Sequence, residues 1–224
     1  VDLSHKLVDG DKVSIVTEKN EEGLFVLRHS TAHVLAQALR RLYGAVQYTI
    51  GPVIEGGFYY DFEFPAGVKV SVDDFAKIEA EMAKIVAEDL AFAREDVPPT
   101  EAKARLKGEG QRFKDEIIAE LEQAGEKTVS LYKQGEFTDL CRGPHLPSTS
   151  KIKAFKLMSV AGAYWRGDAE REQLTRIYGT AFFDKAKLEE HFKQLEEAKK
   201  RDHRKVGPEL GLYTIDDAVG QGLV

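Results

Sequence analysis

Hydrophobic side chains recur at helical spacing through the first half of the chain. From Leu24 to Tyr43 they form one apolar stripe, and Gly44 follows at the position where glycine commonly ends a helix. The same spacing recurs in three later segments, with capping or proline signals near their starts. We therefore expect helices over residues 24–43, 73–90, 98–108 and 111–123.

Short apolar and β-branched runs lie between and after these helices and predict strands. AVQYTI and GGFYYDFEF are expected to pair through a glycine-containing turn, and KTVSLY, IKAFKLMSVA and LTRIYGTAF follow the last of these helices. Weak alternation in residues 1–17, with a turn at Asp9 and Gly10, predicts a small β-hairpin. The expected fold class is α+β, with helices packed on one face of an antiparallel sheet.

The C-terminal segment is strongly charged and has only a narrow apolar stripe. We expect one long connecting helix from Lys185 to Lys205, ended by Gly207 and Pro208. Its basic run KKRDHRK fits either the negative end of a helix dipole or a contact with a phosphate backbone. Because the segments at both ends are too short for domains, we interpret the chain as an internal fragment of a larger protein.

Composition narrows the class of protein. Of the 224 residues, 42% are hydrophobic and 31% are charged, as in an ordinary soluble protein, and no apolar run reaches transmembrane length. Cys141 is the one cysteine, so an intrachain disulfide is excluded and a cytoplasmic location is expected. The net charge of −6 argues against a general nucleic-acid coat, but not against a local pocket for a nucleic-acid end.

Two short motifs carry the candidate chemistry. His29 and His33 are spaced i, i+4 in RHSTAH, and Cys141 and His145 have the same spacing in LCRGPH. All four are metal-ligand and proton-transfer types, so a fold that joined them would make a metal site or a hydrolytic water site. A metalloprotease of the HExxH type needs glutamate where this chain has Ser30, which argues against that class.

Each candidate residue also has an ordinary structural interpretation. Paired histidines can be surface residues, and a lone cysteine is commonly part of buried packing. The polar neighbours of Cys141, which include Asp139 and Arg142, favour a function because such groups are costly to bury. Periodicity alone favours a solvated position for Lys114, and Tyr60 lies in an aromatic strand typical of a core.

Several strings together resemble the bacterial-type threonyl-tRNA synthetases, in the region ahead of their catalytic domain. They are RHSTAHVLAQAL, IGPVIEGGFYYDF, DLCRGPH, FKLMSVAGAYWRGD, RIYGTAFFDK and AKKRDHRKVGPELGLY, and they follow the family's order along nearly the whole chain. Alanyl-type editing domains share the HxxxH and CxxxH pairs, but GAYWRGD and RIYGTAF favour the threonyl family.

The resemblance implies an assignment for each part of the chain. Residues 1–22 look like the tail of a TGS-like domain, 23–184 like the editing domain, 185–211 like a linker helix and 212–224 like the start of the synthetic core. No motif of the core that binds ATP and joins threonine to tRNA falls in this sequence. Oligomerisation of the parent protein is expected through that missing core.

The family's editing residues map onto matching positions. The catalytic set is expected to be His29, His33, Lys114, Cys141 and His145. Substrate binding is assigned to Tyr60, Asp139 and Arg142.

The implied function is proofreading: hydrolysis of serine from mischarged Ser-tRNA(Thr), with the tRNA acceptor end as partner and no membrane contact. General acid–base hydrolysis is the expected mechanism, and a thioester at Cys141 is its rival. No cofactor is expected in this fragment, and zinc held by the two motif pairs is the alternative that we do not favour. The alternative functions are a zinc-dependent alanyl-type editing domain and a non-catalytic module that binds the tRNA acceptor end.

Overall fold

The structure is a computed structural model that describes residues 6–212. The chain divides into two compact units, and the boundary between them in the sequence falls between Phe183 and Asp184. Among the described residues, no helix is long and apolar enough to cross a membrane. The predicted start of a synthetic core at 212–224 lies outside the described residues except for residue 212. The four predicted domain assignments stay predictions.

The first unit contains four α-helices and eight strands in its described part. Its helices are α1 (Glu21–Tyr43), α2 (Phe75–Ala87), α3 (Pro99–Gly108) and α4 (Arg112–Gln123). Its strands are β1 (Gln47–Tyr48), β2 (Val53–Ile54), β3 (Gly57–Glu63), β4 (Ala93–Val97), β5 (Val129–Gln134), β6 (Phe137–Leu140), β7 (Ala154–Tyr164) and β8 (Gln173–Phe182). The α+β class and the four predicted helices are confirmed.

The larger sheet has the strand order β1-β3-β8-β7, with β2 paired to β3, and every pairing is antiparallel. Helices α1 and α2 cover one face, where residues such as Leu35, Phe62 and Ile78 form the main core. Helix α1 is buried along much of its length because it lies in this core. It ends at Gly44, whose φ of +74° suits glycine and whose N–H donates to the carbonyl of Arg40.

The smaller sheet, of strand order β4-β5-β6, was not expected as a separate sheet. Helices α3 and α4 pack on it around a second core that includes Leu106, Ile118 and Leu131. Two of its strands gave no periodic signal, since four of the five residues of β4 are exposed and β6 has only four residues. The helices thus cover two sheets rather than one.

Of the predicted N-terminal hairpin, residues 6–17 form the turn but not the strands. The turn is present, because the N–H of Asp11 donates to the carbonyl of Val8 at 3.1 Å, but residues 6–17 contain no strand. All of these residues are exposed, so a hairpin here would bury no apolar face, and an isolated two-stranded hairpin is marginal in water.

The second unit contains helices α5 (Lys185–Lys200) and α6 (His203–Glu209) in its described part. One continuous helix to Lys205 was predicted, but the break comes earlier, at Arg201 and Asp202. The Asp202 carboxylate accepts a hydrogen bond from the N–H of Arg204 at 2.9 Å and so caps a new helix. Gly207 and Pro208, which were expected to break the helix, lie inside α6.

Candidate active site

The two histidine-containing motifs meet where helix α1 passes the loop after strand β6. The ligand atoms of His29, His33, Cys141 and His145 all lie within 4.8 Å of one another. Nε2 of His29 is 2.9 Å from Sγ of Cys141, and Nε2 of His145 is 3.5 Å from the same sulfur. The fold therefore joins the four residues that the sequence holds in separate motifs.

The imidazole of His145 is enclosed by other rings. It stacks on His29 with a centroid distance of 4.4 Å and on Phe92 with a centroid distance of 4.9 Å and an interplanar angle of 4°. Tyr132 contacts it edge-on, with a centroid distance of 4.5 Å. This packing holds the plane of the imidazole, so each of its nitrogens has defined neighbours.

The loop that carries Cys141 is tied to strand β5. The N–H of Cys141 donates to the carbonyl of Ser130 at 3.1 Å, and the Ser130 hydroxyl donates back to the carbonyl of Cys141. Gly143 has a φ of +68°, and a Cβ there would lie 1.9 Å from the Tyr132 hydroxyl. Glycine is therefore required at this position, and its N–H approaches Sγ of Cys141 at 3.3 Å.

A buried ion pair lies beside the imidazoles. Nζ of Lys114 is 2.6 Å from Oδ1 of Asp139, and both side chains are 2% exposed. The Tyr60 hydroxyl donates to Oδ2 of Asp139 at 2.6 Å, and Nε2 of His33 is 3.5 Å from that oxygen. These contacts stabilise the carboxylate, because a buried charge without partners is costly.

The solvated position that periodicity favoured for Lys114 is wrong. Its ammonium lies 5.3 Å from the ring centroid of Tyr48 and 5.9 Å from that of Tyr60. Asp139 and the two aromatic faces replace water around the cation. Helical spacing could not reveal this, because Asp139 lies on β6 and is distant from helix α4 in the sequence.

Burial sets the protonation of the imidazoles. It lowers the pKa of His29 to about 4, partly offset by a backbone hydrogen bond with Gly51 and reinforced by the charge of Lys114. Burial also lowers the pKa of His33 and of His145 well below the usual histidine value. All three imidazoles are therefore neutral at pH 7, and each has one nitrogen that can accept a hydrogen bond.

The same four side chains are suitable ligands for a metal ion. Tetrahedral zinc with Zn–N of about 2.0–2.1 Å and Zn–S of about 2.3 Å places ligand atoms roughly 3.3–3.6 Å apart. The 3.5 Å separation between Cys141 and His145 fits this geometry, whereas the 2.9 Å separation between Cys141 and His29 is shorter. A zinc ion here would act as a Lewis acid toward an ester carbonyl. The cation of Lys114 beside the imidazoles opposes such binding.

Comparison with known proteins shows which proteins this chain is similar to. Residues 129–178 match the family described as "Threonyl and Alanyl tRNA synthetase second additional domain". The chain is 53% identical over 223 residues to "Threonine--tRNA ligase 1" of Bacillus subtilis (strain 168). This match covers 100% of the chain and 34% of that relative. The whole chain is thus similar to the N-terminal part of threonine–tRNA ligases. A "Threonine--tRNA ligase" of Staphylococcus carnosus (strain TM300) is 55% identical over 223 residues, with the same coverage.

The chain thus spans about a third of the length of the threonyl-tRNA synthetase relatives that it matches, since the match covers 34% of each. Those relatives are threonine–tRNA ligases and therefore enzymes. The resemblance drawn from the sequence motifs is confirmed by this similarity. What this chain itself does is a separate question, which the geometry of the site addresses.

The predicted substrate-binding residues lie in two different environments. Tyr60 and Asp139 are each 1% exposed and lie beside Lys114, whereas Arg142 is exposed at the surface of the loop. Contacts of these residues with substrate stay predictions, as do the catalytic roles that the resemblance to the threonyl-tRNA synthetases implied.

Sequence reasoning missed two residues that shape this site. Ser30, considered only as a departure from the protease motif, contacts Nδ1 of His145 at 3.1 Å. Tyr132 lies against both His145 and Gly143. The signal for Ser30 was its place directly after His29 on a helix with an apolar stripe, but no local pattern marks Tyr132.

Proposed function

We propose that this chain is the proofreading part of a threonyl-tRNA synthetase and hydrolyses serine from mischarged Ser-tRNA(Thr). The observation that carries the proposal is the convergence of His29, Cys141 and His145 beside the buried pair of Lys114 and Asp139. Similarity over the whole chain to part of the threonine–tRNA ligases and the match to the second additional domain support it.

Substrate discrimination gives the chemical reason for such a site. Serine is threonine without one methyl group, and a pocket distinguishes a missing methyl or methylene by only ~1–3 kcal/mol, or about 10–200-fold. Faithful protein synthesis needs a larger ratio. A second site that hydrolyses the smaller product supplies it, and the double-sieve principle predicts that this site admits serine and excludes threonine.

The proposed reaction is hydrolysis of the ester that joins the seryl carboxyl group to the terminal ribose. A water molecule attacks the ester carbonyl carbon, the bond to the ribose oxygen breaks, and one proton of the water ends on that oxygen, which gives free serine and the ribose hydroxyl. The neutral imidazole of His29 is suited to accept a hydrogen bond from the water, because Nε2 faces the cluster beside Cys141. With its pKa near 4, it orients the water more than it removes a proton from it.

Lys114 is proposed to stabilise the negative charge that develops during the attack. A buried ammonium acts strongly on an oxyanion, since little water screens it and its position is already set by Asp139. It is also the group that can deliver a proton toward the departing ribose oxygen. Asp139 would maintain this lysine in place, and its predicted pairing with the seryl ammonium belongs to the same proposal.

Deacylation of defined substrates tests the proposal. The chain is mixed with Ser-tRNA(Thr), Thr-tRNA(Thr) and Ala-tRNA(Ala), with and without a chelator, and release of each amino acid is followed. We expect release of serine and much slower release of threonine. Equal release of serine and threonine would refute proofreading, and chelator-sensitive release of alanine would indicate a zinc-dependent alanyl-type editor.

The matched control for that experiment is His203→Ala. His203 lies in the second unit and its side chain is 84% exposed, so its removal changes histidine content without changing the cluster. His29→Ala is the test variant. Binding of the tRNA acceptor end without any release of amino acid would indicate the non-catalytic binding module instead.

A further inference from the structure

Ser30 is fully buried and its hydroxyl contacts three polar groups at once. Oγ lies 2.8 Å from the carbonyl oxygen of Val26, 3.0 Å from the backbone nitrogen of Leu146 and 3.1 Å from Nδ1 of His145. The hydroxyl therefore bridges helix α1 to the loop that carries His145. It has one proton and two lone pairs to distribute among these three contacts.

The chemistry of the three partners determines that distribution. A carbonyl oxygen can only accept, so the 2.8 Å contact with Val26 requires the Ser30 proton. The N–H of Leu146 can only donate, so it occupies one lone pair. Only the second lone pair is left for His145. Its Nδ1 must therefore carry a proton and donate to Ser30, which leaves Nε2 unprotonated in the neutral imidazole.

A 180° flip of the imidazole would put Cδ2 in the place of Nδ1 and Cε1 in the place of Nε2, so the contacts with Ser30 and Cys141 would both be lost. Phe92 and His29 stack on its two faces, and the edge contact with Tyr132 occupies a third side. Nε2 is thus directed at Sγ of Cys141, 3.5 Å away. Ser30 therefore sets the tautomer of His145, and the three neighbouring rings set its orientation.

His29 presents its nitrogens in the same way. Its backbone hydrogen bond with Gly51 raises the pKa of His29, as expected when the imidazole donates to a carbonyl. Because Nε2 faces Sγ of Cys141 at 2.9 Å, the donor is Nδ1. Two unprotonated nitrogens therefore converge on a thiol with a single proton, so the cluster has more acceptors than donors.

We propose that Ser30 is a positioning residue that holds His145 as the Nδ1–H tautomer, so that Nε2 accepts a hydrogen bond from the water that attacks the ester. This inference rests on the proposed hydrolysis. A cluster rich in acceptors orients a molecule that brings two O–H donors, which is what an attacking water provides. With the opposite tautomer, the Nε2–H of His145 would be a donor. It would compete with the O–H groups of the water for the acceptors of the cluster, and the water would lose its orientation toward the ester carbonyl.

The tautomer can be measured directly by NMR of the chain labelled with ¹⁵N in its histidines. At pH 7, Nδ1 of His145 should show the shift of a protonated nitrogen and Nε2 that of an unprotonated one, with the assignment made by comparison with His145→Gln. This measurement needs no catalysis and no variant of Ser30. An Nε2–H tautomer of His145 in the unaltered chain would overturn the proposal.

Three variants test the consequence for the reaction. Ser30→Ala should admit the Nε2–H tautomer and lower kcat by roughly 10–100-fold, the effect known for groups that orient a metal-ligating histidine, with a smaller change in KM. Ser30→Thr keeps the hydroxyl and should retain the Nδ1–H tautomer and most of the rate. Thr31→Val is the matched control. The hydroxyl of Thr31 donates to the carbonyl of Leu27 at 2.8 Å, four residues earlier in the helix, as the hydroxyl of Ser30 does to Val26, but it does not contact His145.

The outcomes separate this proposal from the proposed function. If Ser30→Ala keeps both the Nδ1–H tautomer and full kcat, Ser30 has no positioning role. If Thr31→Val loses as much rate as Ser30→Ala, the effect comes from the helix and the proposal is wrong. If the tautomer shifts as expected in Ser30→Ala but the unaltered chain deacylates no tRNA, the assignment of the tautomer holds and the proposed hydrolysis fails.

Discussion

At the scale of single residues, His29 and Lys114 are expected to act on the ester in different ways. His29 is a neutral imidazole beside Cys141, whereas Lys114 is a buried cation paired with Asp139. Replacement of either by alanine is expected to lower kcat by ~10²–10⁴-fold, the usual contribution of a general acid or base, with a smaller effect on binding. Single-turnover hydrolysis and titration with a seryl-adenosine analogue measure these effects separately. Full rates in both variants would contradict the assigned roles.

Loss of structure must be distinguished from loss of chemistry at Lys114. Its removal leaves the Asp139 carboxylate buried without a counter-ion, and breaking a buried pair in this way costs ~3–5 kcal/mol. The double variant Lys114→Met/Asp139→Asn removes both charges and keeps an acceptor for the Tyr60 hydroxyl. It should recover stability in urea unfolding but remain inactive, which would show that the loss of rate does not come from a loss of stability.

Cys141 distinguishes direct attack by water from a covalent intermediate. Its sulfur is within reach of two imidazoles, as in a cysteine nucleophile, but hydrolysis of an activated ester needs no thioester. We expect Cys141→Ser to keep its rate within roughly tenfold of the unaltered chain, whereas loss of a true nucleophile costs orders of magnitude. Mass spectrometry of acid-quenched reactions should show no seryl adduct, and an adduct on Cys141 would establish the covalent route.

The four ligand atoms also make a specific prediction about metal. They lie within 4.8 Å of one another, but a dication among them would be repelled by the ammonium of Lys114 by roughly a few kcal/mol at an effective dielectric near 20. We expect no tightly bound metal in the purified chain and no loss of deacylation with a chelator. Stoichiometric zinc by elemental analysis, together with activity lost on chelation and restored by zinc, would show the opposite.

Among the elements, helix α4 carries Lys114 and is held by the turn between β7 and β8. Trp165 in that turn packs on Phe113 with a centroid distance of 5.1 Å, and its Nε1 donates to Glu116 at 3.1 Å. We expect Trp165→Ala to destabilise the chain by ~3–5 kcal/mol in urea unfolding. Trp165→Phe keeps the packing and should cost ~1.5–3 kcal/mol for the lost hydrogen bond to a carboxylate.

The control for Trp165 is Glu116→Gln. It removes the ion pairs with Arg171 and Arg166 but keeps an acceptor for the indole, and each surface ion pair of this kind contributes at most ~1 kcal/mol. A Glu116→Gln variant as unstable as Trp165→Ala would mean that the ion pairs, and not the indole, hold helix α4.

Local signals were sufficient for the four helices of the first unit. Gly44 ends α1 because its positive φ suits glycine, and Pro99 opens α3 at the first turn, where a missing N–H costs nothing. Such signals act within a few residues, so the sequence displays them. The same holds for the turn between β2 and β3, where Gly56 has a φ of +76°.

Features that depend on distant residues could not be predicted in this way. Strand β4 is mostly exposed, so it has no apolar alternation, and only its pairing with β5 makes it a strand. The burial of Lys114 depends on Asp139, and the orientation of His145 depends on Phe92 and Tyr132. Resemblance to a family found the catalytic candidates, but not the neighbours that orient them.

In the whole molecule, the buried imidazoles make stability depend on pH. Burial holds the pKa of His29 at about 4 in the folded chain, below its usual value of 6.5, and lowers the pKa of His33 and His145 as well. Between these two pH values the unfolded chain binds more protons than the folded chain. The free energy of unfolding must therefore decrease as the pH falls from 6.5 toward 4. Asp139 acts in the opposite direction, because burial raises its pKa.

We expect acid destabilisation to begin near pH 6.5, above the range in which exposed carboxylates titrate, because three imidazoles outweigh one carboxyl group. Urea unfolding at intervals from pH 7.5 to pH 4.5 measures the slope, and His29→Gln should reduce it because one buried imidazole is removed. His203→Gln changes an exposed histidine in the other unit and serves as the control. A stability that stays constant down to pH 5 would mean that the folded and unfolded chains bind equal numbers of protons, which would contradict the lowered pKa of the buried imidazoles.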